Sequence, residues 1–488
     1  MRFQQPIIKY LWLILICSPS LTMADTTFAI SNAPNSLHPI LASDASSERI
    51  NALIYQPIIQ LDENDRPISG LADIKQHDAQ HYSLTLSSTK HRFSNNADVS
   101  LLDIAASLNL ARNHPRSPQA KTLSNIASIE TTKQSILISL KKPDYRFAEK
   151  LHISVAPEEM LLKDETLAQR PVGSGDFVWV KTQDDGGVTL RHRRSAEEIR
   201  FVVNKDPTMR VLKLLKGEAS ILQNDLPHEM YRLLKEDPNI QVAQTPGTTF
   251  SYLGFNMADP ILKQDEIRQA IAYAINRQVI VKHLFQGNAK LANTLLAPGH
   301  WAAHPDLPAY EHSPDKAKQL LANLGYSKDN PLELSYKTST DPFRLRIAAV
   351  FQQQLREVGI HLKIQSYEWG SFFGDIKAGR FQLYSLSWVG IRSPDVFRYV
   401  YHSDSLPPSG ANRGRYQSAE VDQLIEQAEE LPLEKSLPLY RKIQEKIHRD
   451  LVYVPLWHED QIVASRHGDL KPNKHGSYQY LERAFGQH

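Results

Sequence analysis

The stretch from Tyr252 to Gly287 restricts the possible folds of this chain more than any other segment. Tyr252, Leu253, Phe255 and Met257 favour an extended strand, and Asp259-Pro260 then stops it. A helix should follow, because Asp265-Glu266 suit its electropositive start and apolar side chains recur at helical spacing. The apolar positions are Ile267, Ala270, Ile271, Ala274 and Ile275. This slender apolar face predicts a helix that packs closely on a sheet.

The first 24 residues predict a secretory signal peptide. They combine Arg2 and Lys9 with a short apolar run over residues 10–16 and end in Thr22-Met23-Ala24, a small-residue cleavage site. The apolar run is shorter than the roughly 20 residues that a transmembrane helix needs. We therefore expect cleavage after Ala24 and a periplasmic mature protein.

Cys17 is the only cysteine, and it lies inside this leader. Ile16 stands where a lipoprotein needs a small residue, so the chain is not expected to be a lipoprotein. After cleavage the mature chain would have no thiol, and it would depend on its hydrophobic core rather than on disulfides.

Charge and length narrow the classes of function. The chain has 56 Lys and Arg against 54 Asp and Glu, and the leader accounts for the difference of two. A neutral mature chain without a basic, aromatic-lined patch argues against nucleic acid as a partner. Its length is enough for two or three domains with sizeable cores.

Several further motifs occur in a fixed order along the chain. Y-L-x-F-N is followed by I-R-Q-A-I-x-Y-A-I-N-R and L-F-x-G, and the other blocks are P-V-G-S-G-D-F from Pro171, HSPDKAKQLLANLGY and YQSAEVDQLIEQA. Together they resemble the family-5 extracellular solute-binding proteins, the receptors for peptides, nickel and related ligands in bacterial ABC importers. The resemblance covers nearly the whole mature chain.

The resemblance implies an α/β, two-lobed periplasmic-binding-protein fold of class II and the large peptide-binding type. Lobe I would comprise residues 25–250, with an extra subdomain over roughly 55–170. Lobe II would comprise 251–458, and 459–488 would return to lobe I, which makes the N-terminal lobe discontinuous. Crossover strands are expected near Gln244–Phe255 and Leu456–Ser465, and the lobes would close on a ligand between them.

The segment from 383 to 401 is the first candidate for the ligand cleft. Leu383 to Trp388 predicts a strand whose free edge could bind an extended peptide. Ser387, Trp388 and Val389 are candidate ligand contacts, with Trp388 covering the ligand by its aromatic face. Packing of Trp388 in the core is the alternative.

Charged positions after Trp388 depart from the family pattern. Peptide-binding members carry W-x-x-D, whose aspartate pairs with the α-ammonium group of the ligand, but the third residue after Trp388 is Ile391. Isoleucine cannot balance a buried ammonium. Arg392 would instead favour a carboxylate or phosphate. Asp395 is a candidate contact, although a structural role in its proline turn is favoured over one with ligand.

Four other positions are weaker candidates for ligand contact. Ser31 and Asn32 end the first strand at the cleft edge, where a plain turn is equally plausible. Trp369 lies at the D-W-x-x-F position of the family, where core packing is the favoured interpretation. Asn412 could contact ligand or organise its own loop.

We therefore expect a monomeric receptor that delivers a peptide or peptide-like solute to an inner-membrane ABC permease and its ATPase, with altered or absent α-amino recognition. No cofactor, metal site or catalytic residue is expected, because His228-Glu229 and His458-Glu459 lack a second histidine and G-x-S-x-G is absent. Alternatives are a receptor for a metal chelate, haem, a sugar or an amine-containing metabolite, a sensor subunit, an exported hydrolase and a chaperone-like protein.

Overall fold

The structure is a computed structural model that describes residues 26–161, 164–408, 410–468 and 470–486. The predicted signal peptide and its cleavage site lie outside the described residues. No helix of the described ranges is long and apolar enough to cross a membrane.

Strands and helices alternate along most of the chain. The strands are β1 Thr26–Ile30, β2 Ile59–Leu61, β3 Pro67–Ser69, β4 Ala72–Gln76, β5 His81–Leu86, β6 Ile126–Thr131, β7 Ile136–Leu140, β8 Phe177–Thr182, β9 Val188–His192, β10 Glu198–Val203, β11 Ile221–Gln223, β12 Gln241–Phe255, β13 Ala289–Leu291, β14 Leu332–Ser339, β15 Ile360–Tyr367, β16 Leu383–Trp388 and β17 Tyr453–Ser465.

The α-helices are α1 Ala45–Ile54, α2 Leu101–Asn113, α3 Glu158–Leu161, α4 Asp164–Gln169, α5 Pro207–Lys216, α6 His228–Glu236, α7 Asp265–Ala274, α8 Arg277–His283, α9 Pro314–Asn323, α10 Pro342–Arg356, α11 Trp369–Ala378, α12 Val396–Tyr401, α13 Ala419–Glu429, α14 Leu433–Asp450 and α15 Tyr480–Gly486. Short 3-10 helices cover Thr122–Asn125 and Phe147–Leu151.

One large mixed sheet runs through the molecule. Its strand order is β15-β14-β16-β12-β17-β11-β1-β10-β9-β8, with β13 also paired to β17. The central pair, β12 and β17, is antiparallel and extends from Gln241 opposite Ser465 to Gly254 opposite Tyr453. A separate antiparallel sheet, in the order β4-β5-β7-β6, lies within residues 72–140.

The hydrophobic cores lie on either side of the β12–β17 pair. One cluster is built from side chains between Phe28 and Phe201 together with residues of the C-terminal segment such as Tyr478 and Phe485. Two others are built from residues between Phe250 and Trp457. The first cluster is the core of lobe I, and the other two form the core of lobe II. The predicted two-lobed α/β fold is therefore confirmed. The domain limits at 250 and 458 remain predictions.

The segment from Tyr252 to Gly287 continues strand β12 and then forms helix α7, as predicted. Tyr252 and Phe255 are buried in β12, although the strand ends two residues before Met257. Helix α7 buries its small apolar face in the core of lobe II. Arg268 is buried on the same helix because its guanidinium donates to the carbonyls of Leu262 and Asp450.

Candidate functional site

The C-terminal half of β16 offers an open strand edge. β16 pairs with β12 along its whole length, from Phe255 opposite Leu383 to Phe250 opposite Trp388. Its other neighbour, β14, pairs only with Leu383 and Tyr384. Among the described strands, residues 385–388 therefore have a partner on one side only. Such an edge presents free backbone donors and acceptors to an extended chain.

Trp388 ends this edge as a firmly held aromatic side chain. Its ring lies parallel to that of Tyr252, at 6.5 Å between centroids, and meets Tyr399 edge-on at 6.1 Å. It is half-buried, so one part of the ring packs in lobe II and the rest is accessible. The indole Nε1–H finds no hydrogen-bond acceptor in the described part of the chain. A buried indole N–H usually has one.

Arg413 holds Trp388 in place and was not predicted as a site residue. Its guanidinium lies 4.3 Å from the Trp388 ring centroid and 5.3 Å from that of Phe373. It also donates to the Tyr252 hydroxyl at 3.1 Å. A cation between two aromatic faces is attracted by both ring quadrupoles. No local pattern indicates this arrangement, because the three stacked residues come from α11, β16 and a later loop.

The loop after Trp388 crosses towards lobe I. Val389 is 60% exposed, and Gly390 has a positive φ of 72°, a backbone conformation that favours glycine. Ile391 turns back and is buried in a core cluster of lobe II. The carbonyl of Arg392 accepts a hydrogen bond from His300 Nε2 at 3.1 Å.

Five side chains then join the two lobes in a group that we call the clasp: Arg146, Glu149 and Lys150 of lobe I with Ser393 and Asp395 of lobe II. Asp395 contacts the Arg146 guanidinium and lies 3.2 Å from Lys150 Nζ. Ser393 Oγ donates to Glu149 Oε2 at 3.0 Å. The Arg146 guanidinium also lies 5.2 Å from the ring centroid of Tyr440 in lobe II.

Burial and charge act in opposite directions in the clasp. Burial alone would raise the pKa of Asp395, but the positive charges of Arg146 and Lys150 outweigh it and lower the pKa to about 2. For Glu149 burial is the larger effect and raises the pKa to about 7, despite the nearby Arg146. Asp395 is therefore a firm anion in this site, whereas Glu149 titrates near neutral pH.

A second polar group lies near the C-terminal end of β16. Ser251 Oγ donates to Glu459 Oε1 at 2.7 Å and lies 2.7 Å from Ser387 Oγ. Arg344 is within 3.4 Å of Ser387 Oγ and 3.6 Å of Glu459. Ser387 thus participates in a network that links α10 to both long strands. The sequence indicates no ligand contact for either Arg344 or Glu459.

The remaining predicted contacts differ in their surroundings. Ser31 and Asn32 directly follow β1, and the Asn32 amide donates to Ser31 Oγ at 3.2 Å. Trp369 is 55% exposed and stacks on Phe373 at 5.5 Å, so the interpretation of this residue as core packing is wrong. It begins α11, outside the apolar face through which Phe372 and Ile376 are buried.

Asn412 organises its own loop. It is 1% exposed, its amide donates to the carbonyls of His402 and Tyr416, and its Oδ1 accepts from the Tyr416 amide. With these partners the side chain has no free group to offer a ligand. The structure thus separates Asn412 from the neighbouring Arg413, which does face Trp388.

No group of three or more His, Cys, Asp or Glu side chains that could hold a metal ion is found within the described ranges. The two histidines that each precede a glutamate, His228 and His458, pack against aromatic side chains instead. His228 lies among the rings of Tyr231, Phe285 and Phe343, and burial lowers its pKa to about 4. His458 is 2% exposed beside Phe250, and burial lowers its pKa to about 4 as well.

Comparison with known proteins agrees with this architecture. The model of the bacterial extracellular solute-binding proteins, family 5 (middle region), matches residues 67–409. The chain belongs to this family. Its members are substrate-binding receptors rather than enzymes, and they are periplasmic.

Two curated relatives of this family-5 protein are named as peptide-binding proteins. Probable di/tripeptide-binding protein 5 of Pseudomonas aeruginosa (strain UCBPP-PA14) is 28% identical over 349 residues, which are 68% of this chain and 66% of that protein. The dipeptide-binding protein of Escherichia coli (strain K12) is 28% identical over 296 residues, 58% of this chain and 55% of that protein. The match to each thus spans less than two thirds of the relative.

A solved structure shares the fold over nearly the whole of this chain. NikA from Brucella suis, solved in complex with Fe(III)-EDTA, superposes with a TM-score of 0.84 at 20% identity. The superposition covers 94% of this chain and 99% of that one. At this identity the likeness concerns the fold, and the ligand has to be argued from the cleft itself.

Proposed function

We propose that this chain is the periplasmic receptor of an ABC importer and that it binds a peptide or peptide-like solute in extended form along β16. The open edge at residues 385–388 carries the proposal. A peptide added there would continue the sheet through its backbone, and Trp388 would cover one of its side chains.

The names of the relatives support the peptide class. Both relatives described above are named for peptide binding, and peptides expose the alternating donors and acceptors that a strand edge needs. The chain would work as a monomer without a cofactor. A leader cleaved after Ala24, without lipidation at Cys17, would release it into the periplasm, and a membrane permease with its ATPase would receive the solute.

Binding and closing are coupled in this scheme. A solute that contacts both lobes favours the closed arrangement, and the closed surface is what the permease would recognise. The clasp shows which side chains meet when the lobes are together. No bond is made or broken, so the whole of the function rests on differential affinity for the two arrangements.

Recognition of a free α-ammonium group would be altered in this receptor. Ile391 occupies the position where we expected the ammonium partner, and its side chain is 7% exposed within a core cluster. Asp395, the next carboxylate, is already paired with Arg146 and Lys150. A free amino terminus at this point would therefore find no available anion in the loop.

Native mass spectrometry of protein purified without denaturation tests the proposal. We expect masses that correspond to one or a few bound peptides, released by mild acid and sequenced by fragmentation. The Trp388→Ala variant, purified in parallel, should retain less of the same material. A bound metal chelate, haem or sugar in place of peptide would overturn the peptide assignment, and peptide cleavage by the purified protein would overturn the receptor function.

A further inference from the structure

Arg392 is fixed in the cleft by its backbone but not by its side chain. Its carbonyl accepts from His300, the preceding Ile391 is buried, and the following Ser393 belongs to the clasp. The side chain is half-buried between the lobes. Its guanidinium makes no hydrogen bond or ion pair with any residue that the structure describes. This differs from Arg146 of the clasp, whose guanidinium is paired with Asp395.

Several basic side chains and one carboxylate surround Arg392. We call them the basic pocket, which consists of Arg392 and His300 of lobe II with His152, Lys474, His475 and Asp65 of lobe I. Burial, and after it the positive charge of Arg392, lower the pKa of His152 to about 4. The same two causes lower the pKa of His475. The charge of Arg392 is thus close enough to act on both imidazoles.

The carboxylate of this pocket is already neutralised. Asp65 is 3% exposed, and its Oδ1 lies 2.7 Å from His475 Nε2 while its Oδ2 lies 2.7 Å from Lys474 Nζ. It is therefore engaged with side chains of its own lobe and does not pair with Arg392. With the lobes in contact, the half-buried guanidinium of Arg392 has no anion among the described residues, and an acidic group of the solute can supply one.

We propose that the basic pocket is a subsite for a carboxylate of the solute, which the Arg392 guanidinium binds. The planar guanidinium can donate two parallel hydrogen bonds to a carboxylate. The inference rests on the proposed function and narrows it. The solute is a peptide or peptide-like acid whose carboxylate lies beside Arg392, in the loop that follows Trp388. The ligand thereby supplies the anion that the guanidinium of Arg392 lacks within the protein.

Three probes on one backbone test this subsite: tri-alanine, tri-alanine amide and N-succinyl-tri-alanine amide. They carry a carboxylate at the C-terminus, none, and one at the N-terminal end, respectively. Calorimetric titration of the wild-type protein should show at least about tenfold tighter binding of one carboxylate-bearing probe than of the amide, a ratio typical of a charged hydrogen bond. Which of the two binds tighter identifies the end of the solute that the pocket accepts.

Variants separate recognition from folding. Arg392→Gln should abolish the difference between acid and amide without changing the melting temperature of the unliganded protein, and Arg392→Lys should restore it in part. Arg346→Gln is the matched control, because Arg346 also reaches the opposite lobe, at 3.4 Å from Glu229, but lies outside the basic pocket. Equal binding of all three probes by the wild-type protein, or a preference that survives Arg392→Gln, overturns the inference.

The subsite can fail separately from the peptide function. If none of the three probes binds, the peptide function is refuted. The carboxylate subsite is then tested separately, with succinate as the probe. At millimolar concentration succinate should then raise the melting temperature of the wild-type protein but not that of Arg392→Gln. Absence of this shift refutes the carboxylate subsite.

Discussion

At the scale of single residues, Trp388 and Asp395 lie seven positions apart and contact opposite sides of the cleft. Trp388 is supported from behind by Tyr252 and Arg413 within lobe II. Asp395 reaches into lobe I, to Arg146 and Lys150. The same short segment therefore supplies both a surface for the ligand and a contact between the lobes.

Replacing Trp388 by alanine should weaken ligand binding by about 2 kcal/mol, or roughly 30-fold in Kd, as expected for a central aromatic contact. The measurement is calorimetric titration with the peptide identified by native mass spectrometry. Trp179→Ala is the control, because Trp179 is also half-buried but lies on β8, at the far end of the sheet. Equal losses in both variants would show that Trp388 acts through stability only.

Asp395→Asn should shift the protein towards the open arrangement. When the lobes meet, the neutral side chain leaves the buried Arg146 guanidinium without its carboxylate, whereas Lys150 keeps Asp144 at 2.7 Å. We expect this to cost about 2 kcal/mol of the closed form. Small-angle scattering or single-molecule energy transfer between lobe labels, with ligand titrated, measures this shift.

Asp98→Asn is the control for Asp395→Asn, since its pair with Arg92 is more than 60% exposed on both sides. Exposed pairs contribute little. A closed fraction unchanged in Asp395→Asn would mean that the clasp does not stabilise closure.

At the scale of elements, the long pair β12–β17 carries an irregularity between the lobes. Its register shifts between Thr245 and Thr249, where Thr245 faces Gln461 and Thr249 faces Glu459. The extra residues on β12 form a bulge, which bends a strand and interrupts the ladder. We expect rotation of the lobes to be absorbed at this bulge.

Gly247 lies in this bulge, where the backbone of β17 approaches closely. A Cβ atom at this position would lie 2.1 Å from the Glu459 carbonyl oxygen. Gly247→Ala should therefore destabilise the protein by about 1–3 kcal/mol, the usual range for overpacking, and change the lobe geometry. Urea unfolding and small-angle scattering check both effects.

Gly374→Ala is the matched control, because it lies in α11 with no atom within 4 Å of the added Cβ. Alanine favours the helix, so this variant should be neutral or stabilised by up to about 1 kcal/mol. A Gly247→Ala protein as stable as Gly374→Ala would show that β17 can yield at the bulge.

At the scale of the whole molecule, stability depends on histidines that are buried in neutral form. His152, His228 and His458 each have a pKa lowered by burial from 6.5 to about 4. The folded state binds fewer protons than the unfolded state between these values. Their contribution is therefore present above pH 6.5 and is lost as the pH falls towards 4.

His228→Phe tests this dependence. Phenylalanine can pack among Tyr231, Phe285 and Phe343, and it does not titrate. Between pH 4 and 6.5, the slope of the unfolding free energy against pH should decrease relative to the wild type. The decrease should correspond to about one proton fewer taken up on unfolding. Urea unfolding at several pH values measures the slope. An unaltered slope in His228→Phe would contradict the assignment.

Much of the element order could be predicted from the sequence because it is encoded locally. The strand at β16 and the strand–turn–helix from β12 into α7 follow from side-chain periodicity and turn residues. The exposure of Trp369 could not be predicted, since a tryptophan in a helix has the same local pattern whether its face packs or remains free. The same limit applies to Arg413, whose partners Phe373 and Trp388 come from other elements.

The sequence by itself determined the strand that ends in Trp388, because periodicity is a local property of the chain. Its ordered motifs indicated the family, and the two-lobed α/β scaffold followed as what that resemblance implies. Only the tertiary structure decided how the charges of the cleft are paired. Asp395 meets Arg146 across 249 positions, and Asp65 meets His475 across 410. Such pairs depend on which distant segments folding brings together, and no spacing in the sequence records that. For the same reason only the folded chain shows that Arg392 is left without an anion.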